Sequence, residues 1–310
     1  MNVIFLMKPL ATVVRNKDTS LLFMLAAQKF GCNLYFLSQN NASITNKGVV
    51  FNVQRFTCLD ESTSSVFEVH ESTQLHENEV EALFIRTDPP FDKSYLHDIW
   101  VLEQVKAPIK FINHPRGIKE VNEKIWATQF KEIVPDTCIT CNEQELNSFL
   151  NAHKKIILKP TDGFGGESIC ILTQDDPNKN VLLEMLSKNY SQYIIAQEYL
   201  TDAKNGDKRI LLADAEPVGV VLRHHSNSDH RNNFFAGGTA KPAELTERDY
   251  FIIDQLKPYL IKLGLRFVGI DIIGGYLIEV NVTSPTCLHE YNQLNNKSIH
   301  LDLVKSWLNL

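Results

Sequence analysis

The stretch FVGIDIIGGYLIEVN, residues 267–281, constrains the fold of this chain more than any other. It reads as two strands around the pair Gly274-Gly275, and it carries two carboxylates and an asparagine. A two-residue turn at Gly274-Gly275 would set Asp271 opposite Ile278 and leave Glu279 on the other face. A three-residue loop, Gly274 to Tyr276, would set Asp271 opposite Glu279, with Asn281 beside them by the period of two. The three-residue loop also gathers Ile270, Ile272, Ile278 and Val280 into one apolar stripe, so it is the expected connection. Its polar face then holds Asp271, Glu279 and Asn281. Opposed acids repel unless a cation joins them. Three oxygen donors without cysteine or histidine suit Mg²⁺. The solvated outer face of an edge hairpin is the competing interpretation of the same residues.

A second hairpin is written in LKPTDGFGGESI, residues 158–169. Lys159 closes the apolar run IIL, and Gly163, Gly165 and Gly166 follow it before the β-rich SICIL. A Walker A loop carries its lysine after the glycines, and a dinucleotide fingerprint opens a helix. Neither matches. The pattern is strand–glycine–strand: a flap whose bare backbone can approach phosphates while its incoming strand delivers one cation. A ligand-free turn explains these twelve residues equally well, so the flap needs partners elsewhere. The acid-bearing hairpin about 110 residues further on supplies them.

The rest of the chain frames these two hairpins. NVIFLM (2–7), a helix capped by Asp18 or Thr19 and ended by Gly31, and the strand NLYFL (33–37) form a β-loop-α-β opening typical of a parallel α/β domain. Residues 38–80 suggest a hairpin and a loop, and ALFIR (82–86) is a further strand, broken by TDPPFD. A helix near 94–106 and the strand KFIN (110–113) follow. The pattern changes near His114-Pro115. A helix is expected over 118–131, another from an Asn142/Glu145 capping box to His153, and another near 179–189. Strands are expected at YIIAQEYL and around a turn within 208–222, then a helix from Thr246 to Leu263.

Composition excludes more than it selects. A formal net charge of −6 argues against a nucleic-acid partner. No apolar run approaches the roughly 18 residues that span a membrane, and MNVIFLMKP lacks the basic start of a secretory signal. A cytoplasmic protein is the simplest expectation. Cys138 and Cys141 form a CxxC without the second pair a zinc ribbon needs, so they are expected to be buried thiols. His224, His225 and His230 lack regular ligand spacing and suit a lid or substrate loop. The segment KDTS (17–20) suits either an anion at a helix N-terminus or a plain cap.

The motifs RTDPPFD (86–92), NEKIWATQF (122–130), ILKPTDGFGGESI (157–169), AQEYL (196–200), GDKRILLAD (206–214), FVGIDIIGG (267–275) and EVNVTSPT (279–286) together resemble the ATP-grasp superfamily, and within it the prokaryotic glutathione synthetases. The acid-x-Asn ending is general to ATP-grasp enzymes, whereas RTDPPFD and NVTSPT are far more specific. The resemblance implies an α/β fold. A parallel α/β (pre-ATP-grasp) domain would span 1–117, followed by a two-lobed ATP-grasp domain with antiparallel sheets over 118–310. Within the latter, 118–200 would be the central lobe with the flap and 201–310 the C-terminal lobe with the metal hairpin.

It further implies ATP-dependent ligation of γ-glutamylcysteine and glycine through an acyl-phosphate, in a homotetramer that uses two Mg²⁺ ions, with Mn²⁺ as a substitute. Lys124 and Lys159 would contact ATP phosphates beneath Gly163, Gly165 and Gly166. Gln197, Glu198, Tyr199 and Leu200 would form the adenine hinge, and Asp207 would hold the ribose. Asp271, Glu279 and Asn281 would bind metal. Arg209 and Arg231 would act at the transferring phosphoryl group; Arg86, Asp88, Arg223 and Ser284 would meet substrate. The segment VGVVLRHHSNSDHRNN departs from the family in length and composition, which bears on Arg223 and Arg231. A different ATP-grasp carboxylate–amine ligase shares the lysines and metal ligands, although VTSPT after Asn281 is unlike the Pro-Gly of D-alanine ligases. A nucleotide-binding module without turnover is the third alternative, and steady-state phosphate release separates it from an enzyme.

Overall fold

The computed structural model describes residues 1–60, 62–163, 165–166, 168–224 and 239–310. The first sheet takes β1 (Asn2–Leu6), β2 (Asn33–Leu37), β3 (Ala42–Thr45), β4 (Gly48–Cys58), β5 (Phe67–His76), β6 (Ala82–Ile85) and β7 (Lys110–Ile112). Their order is β3-β4-β2-β1-β6-β7, with β5 also on β4. The four strands β2, β1, β6 and β7 run parallel, while β3, β4 and β5 form an antiparallel edge. Residues 38–80 are thus more regular than their mixed composition suggests. The helix α1 (Thr19–Lys29) links β1 to β2, and Asp18 caps it by accepting from Ser20 N at 2.7 Å.

Both faces of this sheet are covered, as a parallel sheet requires. Val3 and Phe5 pack with Phe23 and Met24 of α1. Ile4 and Leu6 point the other way, onto Tyr95 and Ile99 of α2 (Lys93–Leu102).

A helix over 118–131 does not form. The chain makes α3 (Pro115–Glu120) and then a separate short turn, Trp126–Gln129. Asn122 is the physical cause: its Oδ1 accepts from Lys124 N at 3.0 Å and Ile125 N at 2.8 Å, in competition with helical bonding. The break turns Glu123 and Lys124 toward the rest of the molecule.

The second sheet contains β8 (Thr137–Thr140), β9 (Lys155–Pro160), β10 (Cys170–Thr173) and β11 (Ile194–Glu198), all antiparallel in the order β10-β9-β11-β8. The helices α4 (Glu143–His153) and α5 (Lys179–Leu186) bury Leu146, Leu150 and Leu183 against Ile156, Leu158 and Ile194. Asn142 caps α4 as expected, but the Glu145 carboxylate accepts from Thr140 Oγ1 instead of completing the box. Cys138 and Cys141 are free and only half-buried.

The third sheet follows: β12 (Asp207–Ala213), β13 (Glu216–His224), β14 (Thr239–Pro242), β15 (Phe267–Ile273) and β16 (Tyr276–Asn281), in the order β14-β13-β12-β15-β16. The helix α6 (Glu247–Lys262) packs on it, with a capping box at Thr246 and Asp249. The chain ends in α7 (Leu288–Asn295) and α8 (Ile299–Leu308). The last of these returns to the first sheet, where Val304 and Trp307 join the core around Phe5 and Phe23. Among the described residues no helix is long and apolar enough to cross a membrane.

The hairpin of β15 and β16 corrects the expected connection. The turn is the two-residue Gly274-Gly275, with φ of 55° and 79° and Ile273 paired to Tyr276. Both central residues sit at positive φ, which suits this glycine pair. A β-bulge then shifts the register between Asp271 and Ile272, so Asp271 still faces Glu279. The bulge also replaces Ile278 by Leu277 in the core stripe, beside Ile270, Ile272 and Val280.

Candidate active site

Register on the third sheet builds a row of charges. Arg209 on β12 pairs with Asp271 on β15, which pairs in turn with Glu279 on β16. On the other side of β12, Asp207 pairs with Arg223 of β13. Side chains complete what the backbone sets up. Arg209 grips Asp271 with two donors, Nε to Oδ1 and Nη2 to Oδ2 at 2.9 Å. Arg223 Nη2 reaches the same Oδ2 at 2.8 Å, and its Nε and Nη2 hold Asp207 at 2.8 and 2.6 Å.

Arg209, Arg223 and Asp271 are each 5 % exposed. Burial pushes the Asp271 carboxyl up, but the two guanidiniums outweigh it and hold the group at about 2. Burial likewise opposes the charge on Arg223, yet Asp271 and Asp207 carry it well above the usual arginine value. For Asp207 burial wins over Arg223, and its carboxyl lies above the ordinary range.

Two lysines approach this row. Lys124, freed by the break at Asn122, places Nζ 2.9 Å from Glu279 Oε1 and also donates to the carbonyl of Gly163. Lys159 lies at the end of β9, where Nζ donates to Gln197 Oε1 at 2.9 Å. It is 4 % exposed, and burial brings its ammonium down to about 8, against the pull of Glu279. Gln197 is fixed in turn by donating to Thr137 Oγ1 at 2.9 Å. Beyond it, Glu198 closes β11 and the Tyr199 ring lies under Lys155 Nζ, 3.6 Å from its centroid. Leu200 follows, half-buried. Gly163 ends the described segment after β9, and Gly165 and Gly166 lie in the tip at φ of 59° and 75°. The strand–glycine–strand expectation is met by the antiparallel pairing of β9 with β10.

The donor set fits a hard divalent cation. Asp271 and Glu279 offer opposed carboxylates, and Asn281 donates through Nδ2 to Gly269 O at 3.2 Å, which leaves its amide oxygen as the ligand atom. In this structure Arg209, Arg223 and Lys124 neutralise the same carboxylates.

Other expected site residues fall elsewhere. Arg86 is 4 % exposed between the rings of Phe23 and Phe267. It donates from Nε to Ser20 Oγ at 3.0 Å and from Nη2 to Pro285 O at 2.9 Å, so at least two of its donors serve the protein. Asp88 is on the surface, 3.5 Å from Lys8 Nζ. Ser284 is half-buried in the segment after β16. Arg231, His225 and His230 lie outside the described residues, while His224 ends β13. Asp136, His153 and Glu198 bring ligand atoms within 4.8 Å of one another, but Asp136 is exposed, with His153 Nε2 3.8 Å from its carboxylate.

Two polar residues that the sequence did not single out bind the segment after β16. Asn113 Nδ2 donates to Phe267 O and Val282 O at 2.8 Å each. Glu123 Oε1 accepts from Val282 N, Thr283 N and Thr283 Oγ1. Nothing in the local pattern marks Glu123, because NEKIWATQF scans as helix.

Comparison with known proteins agrees over nearly the whole chain. The family described as prokaryotic glutathione synthetase, N-terminal domain, matches residues 1–119, and its ATP-grasp domain matches residues 123–296. The glutathione synthetase of Pseudomonas aeruginosa is 40% identical over 289 residues, covering 93% of this chain and 91% of that protein. That of an Escherichia coli strain is 36% identical over 286 residues, covering 92% and 90%. Among solved structures, the D-cycloserine synthetase DcsG aligns with a TM-score of 0.69 at 12% identity, over 98% of this chain and 99% of that one. The macrocyclase MdnC from Microcystis aeruginosa, bound with its precursor peptide, gives 0.65 at 14% identity over the full length of both chains. At such identity these two speak for the fold alone. With both domain families matched in order along a chain that folds as an ATP-grasp ligase, the protein belongs to the prokaryotic glutathione synthetase family.

Proposed function

We propose that this chain is a glutathione synthetase. It joins γ-L-glutamyl-L-cysteine to glycine at the expense of ATP, through an acyl-phosphate, and releases glutathione, ADP and phosphate. The observation that supports the substrates is the match to both glutathione synthetase domain families over residues 1–119 and 123–296, while Lys124 and Arg209 beside Asp271, Glu279 and Asn281 support the ATP chemistry. Domains over 1–117, 118–200 and 201–310 follow from the same proposal, as do a homotetramer and a cytoplasmic location without nucleic-acid or membrane partners.

The chemistry suits these groups. The cysteinyl carboxylate attacks the γ-phosphorus of ATP; the P–O bond to ADP breaks and an acyl-phosphate forms. Negative charge spreads over the phosphoryl oxygens, and Lys124, Lys159 and Arg209 would neutralise it. The free amine of glycine then adds to the acyl carbon and expels phosphate, while the amine proton passes to solvent. Two Mg²⁺ ions held by Asp271, Glu279 and Asn281, or Mn²⁺ on the same donors, would screen the β- and γ-phosphate charge. The Gly163–Gly166 tip would cover the phosphates and keep water from the acyl-phosphate. Gln197 to Leu200 would receive the adenine, and Asp207 the ribose. Arg223, Ser284, Arg86 and Asp88 would face the dipeptide, and Arg231 would act with Arg209 at the transferring phosphoryl group.

The test is phosphate release with ATP and Mg²⁺, with γ-glutamylcysteine and glycine each omitted in turn. Release that needs both, with glutathione formed, is the expected outcome. Release driven by another acid–amine pair would retain the ligase and refute the substrates, and no release with any pair would refute turnover.

A further inference from the structure

The segment that follows the metal strand, Val282 to Thr286, has no regular structure of its own and is held by side chains from three distant places. Asn113 donates to the carbonyl of Val282 at 2.8 Å, and Arg86 to the carbonyl of Pro285 at 2.9 Å. Between them a single carboxylate oxygen, Glu123 Oε1, accepts from Val282 N at 2.8 Å, Thr283 N at 3.0 Å and Thr283 Oγ1 at 2.8 Å. The backbone joins in: Glu123 O accepts from Val280 N at 2.9 Å. The next residue, Lys124, reaches back to Glu279. Residues 123 and 124 therefore address both halves of the strand end, one its metal-side acid and the other the segment beyond it.

That segment passes close to Arg209. A Cβ at Gly269 would lie 3.1 Å from both Arg209 Cδ and Pro285 Cβ, so Pro285 borders the arginine that grips Asp271. The acid is placed at a cost. Burial, followed by the nearby charge of Glu279, raises the Glu123 carboxyl above its ordinary range, and the three donors only partly offset this. A solvent-facing brace would meet no such penalty.

We propose that Glu123 is a positioning residue for the carboxylate substrate: by fixing the amides of Val282 and Thr283 it sets the segment against which that substrate lies beside Arg209. This rests on the ligase assignment above, and it extends it to a residue that touches neither nucleotide nor metal. Two neighbouring amides and a hydroxyl on one oxygen define the path of the chain more tightly than a single contact would.

The experiment compares Glu123→Gln, Glu123→Ala and Thr283→Val with the native enzyme in steady-state phosphate release, varying each substrate separately. Nucleotide binding is measured by calorimetry, and folding by thermal melting. Glutamine keeps an acceptor oxygen at the same reach and is expected to stay within about threefold of native in every constant. Alanine is expected to raise KM for the dipeptide by at least about tenfold, with KM for ATP within about twofold. Thr283→Val removes one of the three donors, and a rise of about threefold in the dipeptide KM alone is expected.

An unchanged dipeptide KM in Glu123→Ala would overturn the proposal. So would a fall in all constants together, in step with lost folded protein. If Glu123→Ala does not fold, Thr283→Val alone decides by the same split. Should another acid prove to be the substrate, the split is read on that acid, so failure of the substrate assignment and failure of this inference remain distinct.

Discussion

The second and third sheets hold their charged groups in opposite ways. On the third sheet Arg209, Arg223, Asp207 and Asp271 form one buried network in which Asp271 meets two guanidiniums and Arg223 two carboxylates. Its apolar side is continuous with the main core, since Ile270 and Val280 share a cluster with Ile4 and Leu6 of the first sheet. On the second sheet Lys159 rests on a neutral partner, Gln197, and the sheet has a separate small core around Leu150 and Ile156. A contact that links the two is Lys124, which holds both Glu279 and the carbonyl of Gly163. The difference separates a floor whose charges are paired with one another from a cover with its own core and a buried lysine whose described partner is neutral.

The sharpest way to break this contrast is Asp271→Asn. It leaves the guanidiniums of Arg209 and Arg223 buried against a neutral amide. A loss of about 3 kcal/mol in urea-unfolding stability and at least about a thousandfold fall in kcat are expected. The pH dependence has a definite sign. The folded Asp271 titrates at about 2, below its ordinary 3.8, so its contribution is fully present above that ordinary value. As pH falls toward 2 about 2 kcal/mol should vanish, and Asp271→Asn should lack this loss. A native-like acid profile in the variant would remove the third sheet's distinction.

On the second sheet the effects should fall on function and spare stability. Lys159→Met is expected to lower kcat/KM for ATP about a hundredfold, yet leave the melting temperature unchanged or raised, because burial already disfavours the ammonium. The sign follows from a folded value of about 8, below the ordinary 10.5: the protonated lysine costs stability below pH 8, and this cost fades as pH rises through 8 toward 10.5. Binding of MgATP at pH 8 should then draw about half a proton onto Lys159. Calorimetry in buffers of different ionisation enthalpy would detect this uptake, and Lys159→Met should abolish it.

The smallest effect is expected at the tip. Gly165 has φ of 59°, a conformation that costs an L side chain roughly 1 kcal/mol. Gly165→Ala should raise KM for ATP about threefold with the melting temperature within about a degree. A large fall in melting temperature would mean that the tip is part of the floor.

Much of this site was legible in the chain itself. Asp271 and Glu279 were expected opposite each other, though through a loop that does not form, and glycines between two apolar runs were enough to call for the flap of β9 and β10. The turn between β15 and β16 was not legible. Apolar pattern alone could not separate a three-residue loop from a two-residue turn with a compensating bulge, because both restore the Asp271–Glu279 pairing. The break at Asn122 escaped for a similar reason. Residues 118–131 have helical spacing, and the competing bonds from the Asn122 side chain are visible only in the folded chain.

What the sequence determined by itself is therefore what repeats along the chain: the strand period, the glycine tip, the acids at alternate positions and the family signature spread from Arg86 to Thr286. The tertiary structure alone decided which charges share a partner. It joined Arg223 to both Asp207 and Asp271, placed two donors of Arg86 on Ser20 and Pro285, and set Glu123 under Val282 and Thr283. The physical reason is range. Hydrophobic periodicity is a local signal, whereas a buried polar group is satisfied by whatever donor or acceptor the fold brings near, here from residues as much as 199 positions away.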